Sequence, residues 1–67
     1  MTSDRLLTPR QVAELLGVPE GTLRQWRHHG RGPVSFRVEG HVRYRVSAVE
    51  AWLRACEQAT ARGEEVA

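Results

Sequence analysis

Arg24, Gln25 and His28 place an arginine, an amide and an imidazole close together in the chain. All three side chains can hydrogen-bond to the edges of bases, and arginine and glutamine can do so in bidentate geometry. Gly21 and Thr22 stand just before them. A glycine lets backbone at a helix N-terminus come close to a phosphate, and a threonine adds a hydroxyl contact there. Across residues 21–45, Arg24, Arg27, Arg31, Arg37, Arg43 and Arg45 stand against Glu39 alone, a net charge of +5. Residues 1–20 carry −1 and residues 46–67 carry −2, which leaves +2 for the whole chain. Positive charge gathered into the middle third of a small chain points to a polyanionic partner.

All ten basic residues are arginine. Arginine is the better planar partner for phosphate and for guanine edges. Lysine, asparagine and isoleucine are all absent, as a GC-rich coding sequence would favour. Codon usage accounts for the missing lysine. It does not account for the clustering of the arginines.

Other chemistries are weaker. His28, His29, His41 and Cys56 are ligand types for zinc. Adjacent helical histidines, however, point about 100° apart, and Cys56 falls on an apolar helical stripe. Glu50 and Glu57 are a conceivable acid/base pair, but Glu50 is placed to serve a helix cap and Glu57 a solvated face. Trp26 and Trp52 can stack on bases, yet their spacing with Leu23 and Leu53 predicts core positions. We therefore expect no catalytic residue, no metal and no cofactor, and not an enzyme. Cys56 is the single cysteine, so no intramolecular disulfide forms. Residues 1–7 hold no apolar run of the length a signal peptide or membrane span needs. The expectation is a reduced, cytoplasmic protein without a membrane partner.

The elements that must position these residues are short. A chain of 67 residues is one small domain, burying about 60% of the surface its unfolded form exposes. Thr8-Pro9-Arg10-Gln11 reads as a capping box with proline at the first helical position. Val12, Leu15 and Leu16 then form an apolar face, and Gly17 ends the helix. A second helix is expected from about Glu20 to His29, with Leu23 and Trp26 inward and Gly30 as its stop. Pro19 is a poor cap for it. Two short helices around a tight turn make a helix-turn-helix pattern.

Val34 to Val38 and His41 to Val46 alternate with period two around Glu39-Gly40, a hairpin in which a two-residue turn is one of the possible registers. The alternation alone places Val34, Phe36, Val38, Val42, Tyr44 and Val46 on one face, expected to be core, with Arg37, Arg43 and Arg45 as a basic stripe on the other. Ser47 and Glu50 read as a second capping box. Val49, Trp52, Leu53 and Cys56 follow as an amphipathic stripe that fades after Ala59. The expected organisation is an N-terminal arm over residues 1–7, a DNA-binding domain over 8–59 and a disordered polar tail over 60–67.

With Leu23 and Trp26 turned inward, Gly21, Arg24, Gln25 and His28 share the outer face of the second helix and Arg27 lies at its flank. An ordinary solvated face is the plain alternative. A helix-turn-helix before it and a basic hairpin after it favour an interface. For the hairpin, the plain alternative is again an exposed polar strand face. Arginines with no acid beside them favour phosphate contact, with the tip near Glu39-Gly40-His41 entering a minor groove.

The chain resembles the excisionase-type family of small winged helix-turn-helix proteins, related to the DNA-binding domain of MerR-type regulators. The resemblance is carried by Leu7-Thr8-Pro9, Val12-Ala13, Leu15-Leu16-Gly17-Val18-Pro19, Thr22-Leu23-Arg24-Gln25-Trp26 and the run from Val42 to Leu53. It covers about residues 6–54 and is specific as a combination. It implies a fold that is mainly α with a small β-hairpin: helix-turn-helix, two-stranded wing, third helix. It further implies that the second helix enters the major groove and the hairpin meets the flanking minor groove. Gly21, Gln25 and His28 match the base-reading side, and Arg24 and Arg27 the phosphate-contacting flanks. Gly21 offers no side chain and His28 is a weaker donor than arginine, so base reading leans on Arg24, Gln25 and the wing.

The resemblance implies a recombination directionality factor that binds double-stranded DNA near an attachment site, bends it and promotes integrase-mediated excision. It implies a monomer in solution whose copies sit side by side on repeated sites, with an integrase or other site-specific recombinase as a possible partner. Too few periodic residues follow Cys56 for a dimer seam. A small transcriptional regulator on the same domain is the alternative, since fold and DNA contacts are shared. An adaptor with weak DNA binding, docking a partner through its third helix or acidic tail, is the alternative of another class.

Overall fold

The computed structural model describes residues 4–63. Six elements follow one another: β1 (Leu6–Leu7), α1 (Pro9–Leu16), α2 (Glu20–His28), β2 (Phe36–Val38), β3 (His41–Arg45) and α3 (Val46–Thr60). This is the winged helix-turn-helix arrangement, three helices with a small antiparallel wing.

The ends of α1 and α2 are set by local chemistry. Thr8 Oγ1 accepts from the Gln11 backbone N–H at 3.1 Å, and Gln11 Oε1 accepts from the Thr8 N–H at 2.9 Å. That reciprocal pair satisfies two otherwise orphaned donors. At the other end Gly17 adopts a φ of +71°, and Val18 N–H donates to the Ala13 carbonyl. The same closure ends α2, where Gly30 has a φ of +66° and Arg31 N–H donates to the Trp26 carbonyl at 2.7 Å. Both helices therefore stop where a left-handed glycine lets the chain fold back on the last carbonyls. Pro19, at the start of α2, makes no side-chain cap.

The core is one cluster: Leu7, Val12, Ala13, Leu23, Tyr44 and Val49, with Leu16, Trp26, Val42 and Val46 packed against it. It draws on every helix and fixes α2 across α1 through Leu23, which is fully buried. Leu15, expected on the apolar face of α1, is instead 61% exposed. The contact face runs through Val12, Ala13 and Leu16, and Leu15 is rotated about 100° from its neighbour Leu16. The two tryptophans lean on each other, ring centroids 5.5 Å apart and planes tilted by 45°. Both are half-buried, so Trp52 covers the edge of the core and does not sit inside it.

Three features depart from the expectations. First, Leu6 and Leu7 leave the expected arm and pair with Arg45 and Tyr44, making a sheet of order β1-β3-β2. A strand of two residues has no periodicity to read. Second, α3 begins at Val46, without a cap from Ser47. The Ser47 backbone N–H and hydroxyl both donate to the Asp4 carboxylate, at 3.1 and 2.7 Å. The acceptor comes from 43 residues away in sequence. The Ser47–Glu50 capping box is thus replaced by a tertiary cap. Third, α3 continues to Thr60, where the tail was expected to begin. Residues 1–3 of the expected arm and 64–67 of the expected tail lie outside the described residues.

The wing corrects the largest expectation. Glu39 and Gly40 have φ of +49° and +82°, the two positive values of a two-residue type I′ turn. Val38 then pairs with His41, Arg37 with Val42 and Phe36 with Arg43. Paired residues share a face, so a two-residue turn joins odd positions of one strand to even positions of the other. Phe36 and Val38 therefore lie with His41, Arg43 and Arg45. Arg37 lies with Val42 and Tyr44. The expected stripe of three arginines is split between the two faces of the wing. Val34 and Val38, expected in the core, are 73% and 43% exposed.

Candidate nucleic-acid interface

Burial of Leu23 and the packing of Trp26 turn the opposite side of α2 outward. Gly21, Arg24, Gln25 and His28 are exposed there, while Thr22 is half-buried. A side-chain carbon at Gly21 would meet nothing within 4 Å, so protein packing does not demand glycine there. Glu20 in the first turn and Arg27 and His28 in the last complement the helix dipole.

Between α2 and the inner face of the wing lies an open cleft of about 240 Å³. Arg24, Arg27 and His28 line it from the helix, and Arg37 and Val42 from the strands. Among the described residues, no acidic side chain lines it. Three guanidinium groups thus share one concave surface, where field lines between low-dielectric walls reinforce one another. Arg27 is half-buried, and its Nη1 donates to the Tyr44 hydroxyl at 3.2 Å. That bond ties α2 to the central strand.

The other basic residues stand elsewhere. On the outer face of the wing, the Arg45 guanidinium lies 5.4 Å above the Phe36 ring and 3.8 Å from the Asp4 carboxylate. The Ser47 hydroxyl, then the Ser47 N–H, and then the charge of Arg45 hold the Asp4 carboxyl below the usual aspartate value. Arg43 Nη1 donates to the Val42 carbonyl at 2.7 Å. His41 is exposed where the chain leaves the turn. Arg31 lines a separate hollow with Trp26, Trp52 and Cys56, away from the α2–wing cleft. The structure therefore gathers Arg24, Arg27, His28 and Arg37, and sets Arg31, His41, Arg43 and Arg45 apart from them.

Two contributors went unread in the sequence. The hydroxyl of core-facing Tyr44 and the carboxylate of Asp4 in the N-terminal arm carry no local signature, because their partners are remote in sequence. The available signal was Glu39-Gly40: taking it as a two-residue turn puts Arg37 on the side of Tyr44. Among the described residues, no three His, Cys, Asp or Glu side chains cluster as metal ligands. None of the described helices is long and apolar enough to cross a membrane.

A family model described as a helix-turn-helix domain matches residues 6–57, from β1 well into α3. No curated protein and no solved structure matches the chain.

Proposed function

The chain belongs to the helix-turn-helix domain family, and from that premise we propose that it is a sequence-specific binder of double-stranded DNA, using α2 and both faces of the wing. The observation that carries this is the acid-free cleft in which Arg24, Arg27 and His28 of α2 meet Arg37 of the wing. Arg24, Gln25 and His28 read base edges in the major groove, with Gly21 and Thr22 admitting a phosphate at the helix start. A wing inserted in the flanking minor groove presents one face to each phosphate wall. Arg37 then serves one wall, and Arg43 and Arg45 serve the other, with His41 at the tip. Arg31, beyond the end of α2, adds charge that steers association.

Within that activity we assign the chain the role of an excisionase, or recombination directionality factor. It binds beside an attachment site, bends the duplex and assists an integrase, with copies side by side on repeated sites. Support comes from the resemblance of the helix-turn-helix and of the run from Val42 to Leu53 to that family. The role is binding and deformation of DNA, with no chemistry of its own. The test is to mix the purified protein with fragmented genomic DNA of its own source and sequence the retained fragments. Clustered repeats beside an integrase gene would support the excisionase role, and scattered promoters would replace it with a transcriptional regulator. No enrichment at low salt would overturn DNA binding itself and favour the adaptor.

A further inference from the structure

Tyr44 is fully buried, and its ring packs in the core with Leu23 and Val49. It is the only member of that cluster with a polar side-chain atom. The hydroxyl accepts from Arg27 Nη1 at 3.2 Å, and no buried side-chain nitrogen or oxygen among the described residues lacks a partner. A phenylalanine would fill the same apolar space, so the core has no need of that oxygen. The group that uses it is Arg27.

Arg45 of the wing and Arg27 of α2 are each held by another side chain, and the two partners differ. Arg45 is oriented by the Asp4 carboxylate, which also offsets its charge. Arg27 is oriented by a neutral oxygen, and among the described residues no acid pairs with it. A guanidinium has five donors, so one bond to Tyr44 leaves most of the fork to face the cleft. The bond anchors one end of the fork, and among the described residues no acid offsets its charge. Tyr44 belongs to β3 while Arg27 belongs to α2, so the same bond sets the helix against the wing.

We propose that Tyr44 is a positioning residue for DNA recognition: its buried hydroxyl pre-orients the Arg27 fork in the α2–wing cleft without neutralising it. This rests on the DNA-binding reading above. Ordering a flexible arginine before the encounter removes a cost that binding otherwise bears. The gain falls on the matched site, where geometry counts, and little of it on non-specific contact, which depends on charge.

The test compares the parent, Tyr44→Phe, Arg27→Lys and the double variant as full chains. Each is titrated with a duplex retained in the genomic selection and with a scrambled duplex of equal length, and each is melted thermally. Tyr44→Phe should keep its melting temperature within a few degrees. Its preference for the retained duplex should fall about tenfold (1.4 kcal/mol), with scrambled-duplex affinity unchanged. Arg27→Lys keeps the charge and loses the fixed fork, so it should show the same loss, and the double variant should be no worse than either. If Tyr44→Phe folds poorly, Arg27→Lys still exposes the inference to failure, since a fork of no consequence to preference leaves Tyr44 nothing to orient. Undiminished preference in Arg27→Lys, or in a stable Tyr44→Phe, would overturn the inference while leaving DNA binding intact. Additive losses in the double variant would overturn it as well. A parent that binds neither duplex would overturn the DNA-binding reading first, and the inference with it.

Discussion

The Asp4 carboxylate caps α3 from the far end of the chain, taking the Ser47 backbone N–H on Oδ1 and the Ser47 hydroxyl on Oδ2. Helix starts leave unsatisfied N–H groups, and here a remote side chain serves one that the local sequence leaves open. Val46 N–H donates to the Arg5 carbonyl alongside, at 3.0 Å. The N-terminal segment thus joins β1, the start of α3 and, through Arg45, the outer wing.

That relationship gives a pH-dependent prediction. Asp4 ionises more readily in the folded chain than its ordinary value of 3.8, chiefly through the Ser47 hydroxyl bond. A depressed folded value means stability that is complete above the unfolded value and is lost as pH falls through the folded one. Asp4→Ala should therefore lower the melting temperature by a few degrees at neutral pH. The gap between parent and variant should close as pH falls from about 4 towards 2. Circular dichroism melts across that range check it. A gap that persists unchanged at the acid end would show that the carboxylate's charge is not what caps the helix.

Arg24 carries the base-reading prediction. It is exposed on α2 and lines the cleft, so its removal should cost little stability. Arg24→Ala should weaken the matched site by about 1–3 kcal/mol, and relax specificity if the side chain reads a base. Competition titrations with single-base variants of the site measure both effects. Unaltered affinity and unaltered site preference would place the interface away from this face of α2.

Legibility followed the range of the interactions. The two helices, their glycine stops and the Thr8–Gln11 capping box are local and were readable, as was the hairpin. The outward side of α2 was readable because Leu23 and Trp26 define the inward side. What failed was longer in range or hinged on parity. The Asp4–Ser47 cap links residues 43 apart, and no local pattern announces it. The Arg37, Arg43 and Arg45 stripe failed because each strand's alternation was read correctly while their mutual register was not. One residue more or less in the turn exchanges the faces of β2 relative to β3.

The split stripe changes what the wing should do in salt. If 4–6 phosphates are neutralised, log Kobs against log salt should have a slope of about −4 to −5 on duplex DNA. Arg37 and Arg43 sit on opposite faces, so in the proposed complex each would meet a different phosphate wall. Arg37→Ala and Arg43→Ala should each make the slope shallower by about one unit, and the double variant by about two. Fluorescence anisotropy titrations over a salt series test it. A change from Arg37→Ala alone would confine the interface to the cleft face.

Glu39 supplies a last prediction, in which stability and affinity move together. It holds a φ of +49° in the turn and is the single acid among residues 21–45. Asparagine tolerates the left-handed region better and is favoured in a type I′ turn before glycine. Glu39→Asn should therefore stabilise the fold by about 0.5 kcal/mol, through relief of backbone strain at one position. It also removes a negative charge from the wing tip, which should tighten duplex binding and steepen its salt dependence slightly. Urea denaturation and the same anisotropy series measure the two effects separately. A more stable variant with unaltered affinity would mean that the tip stays clear of the phosphates.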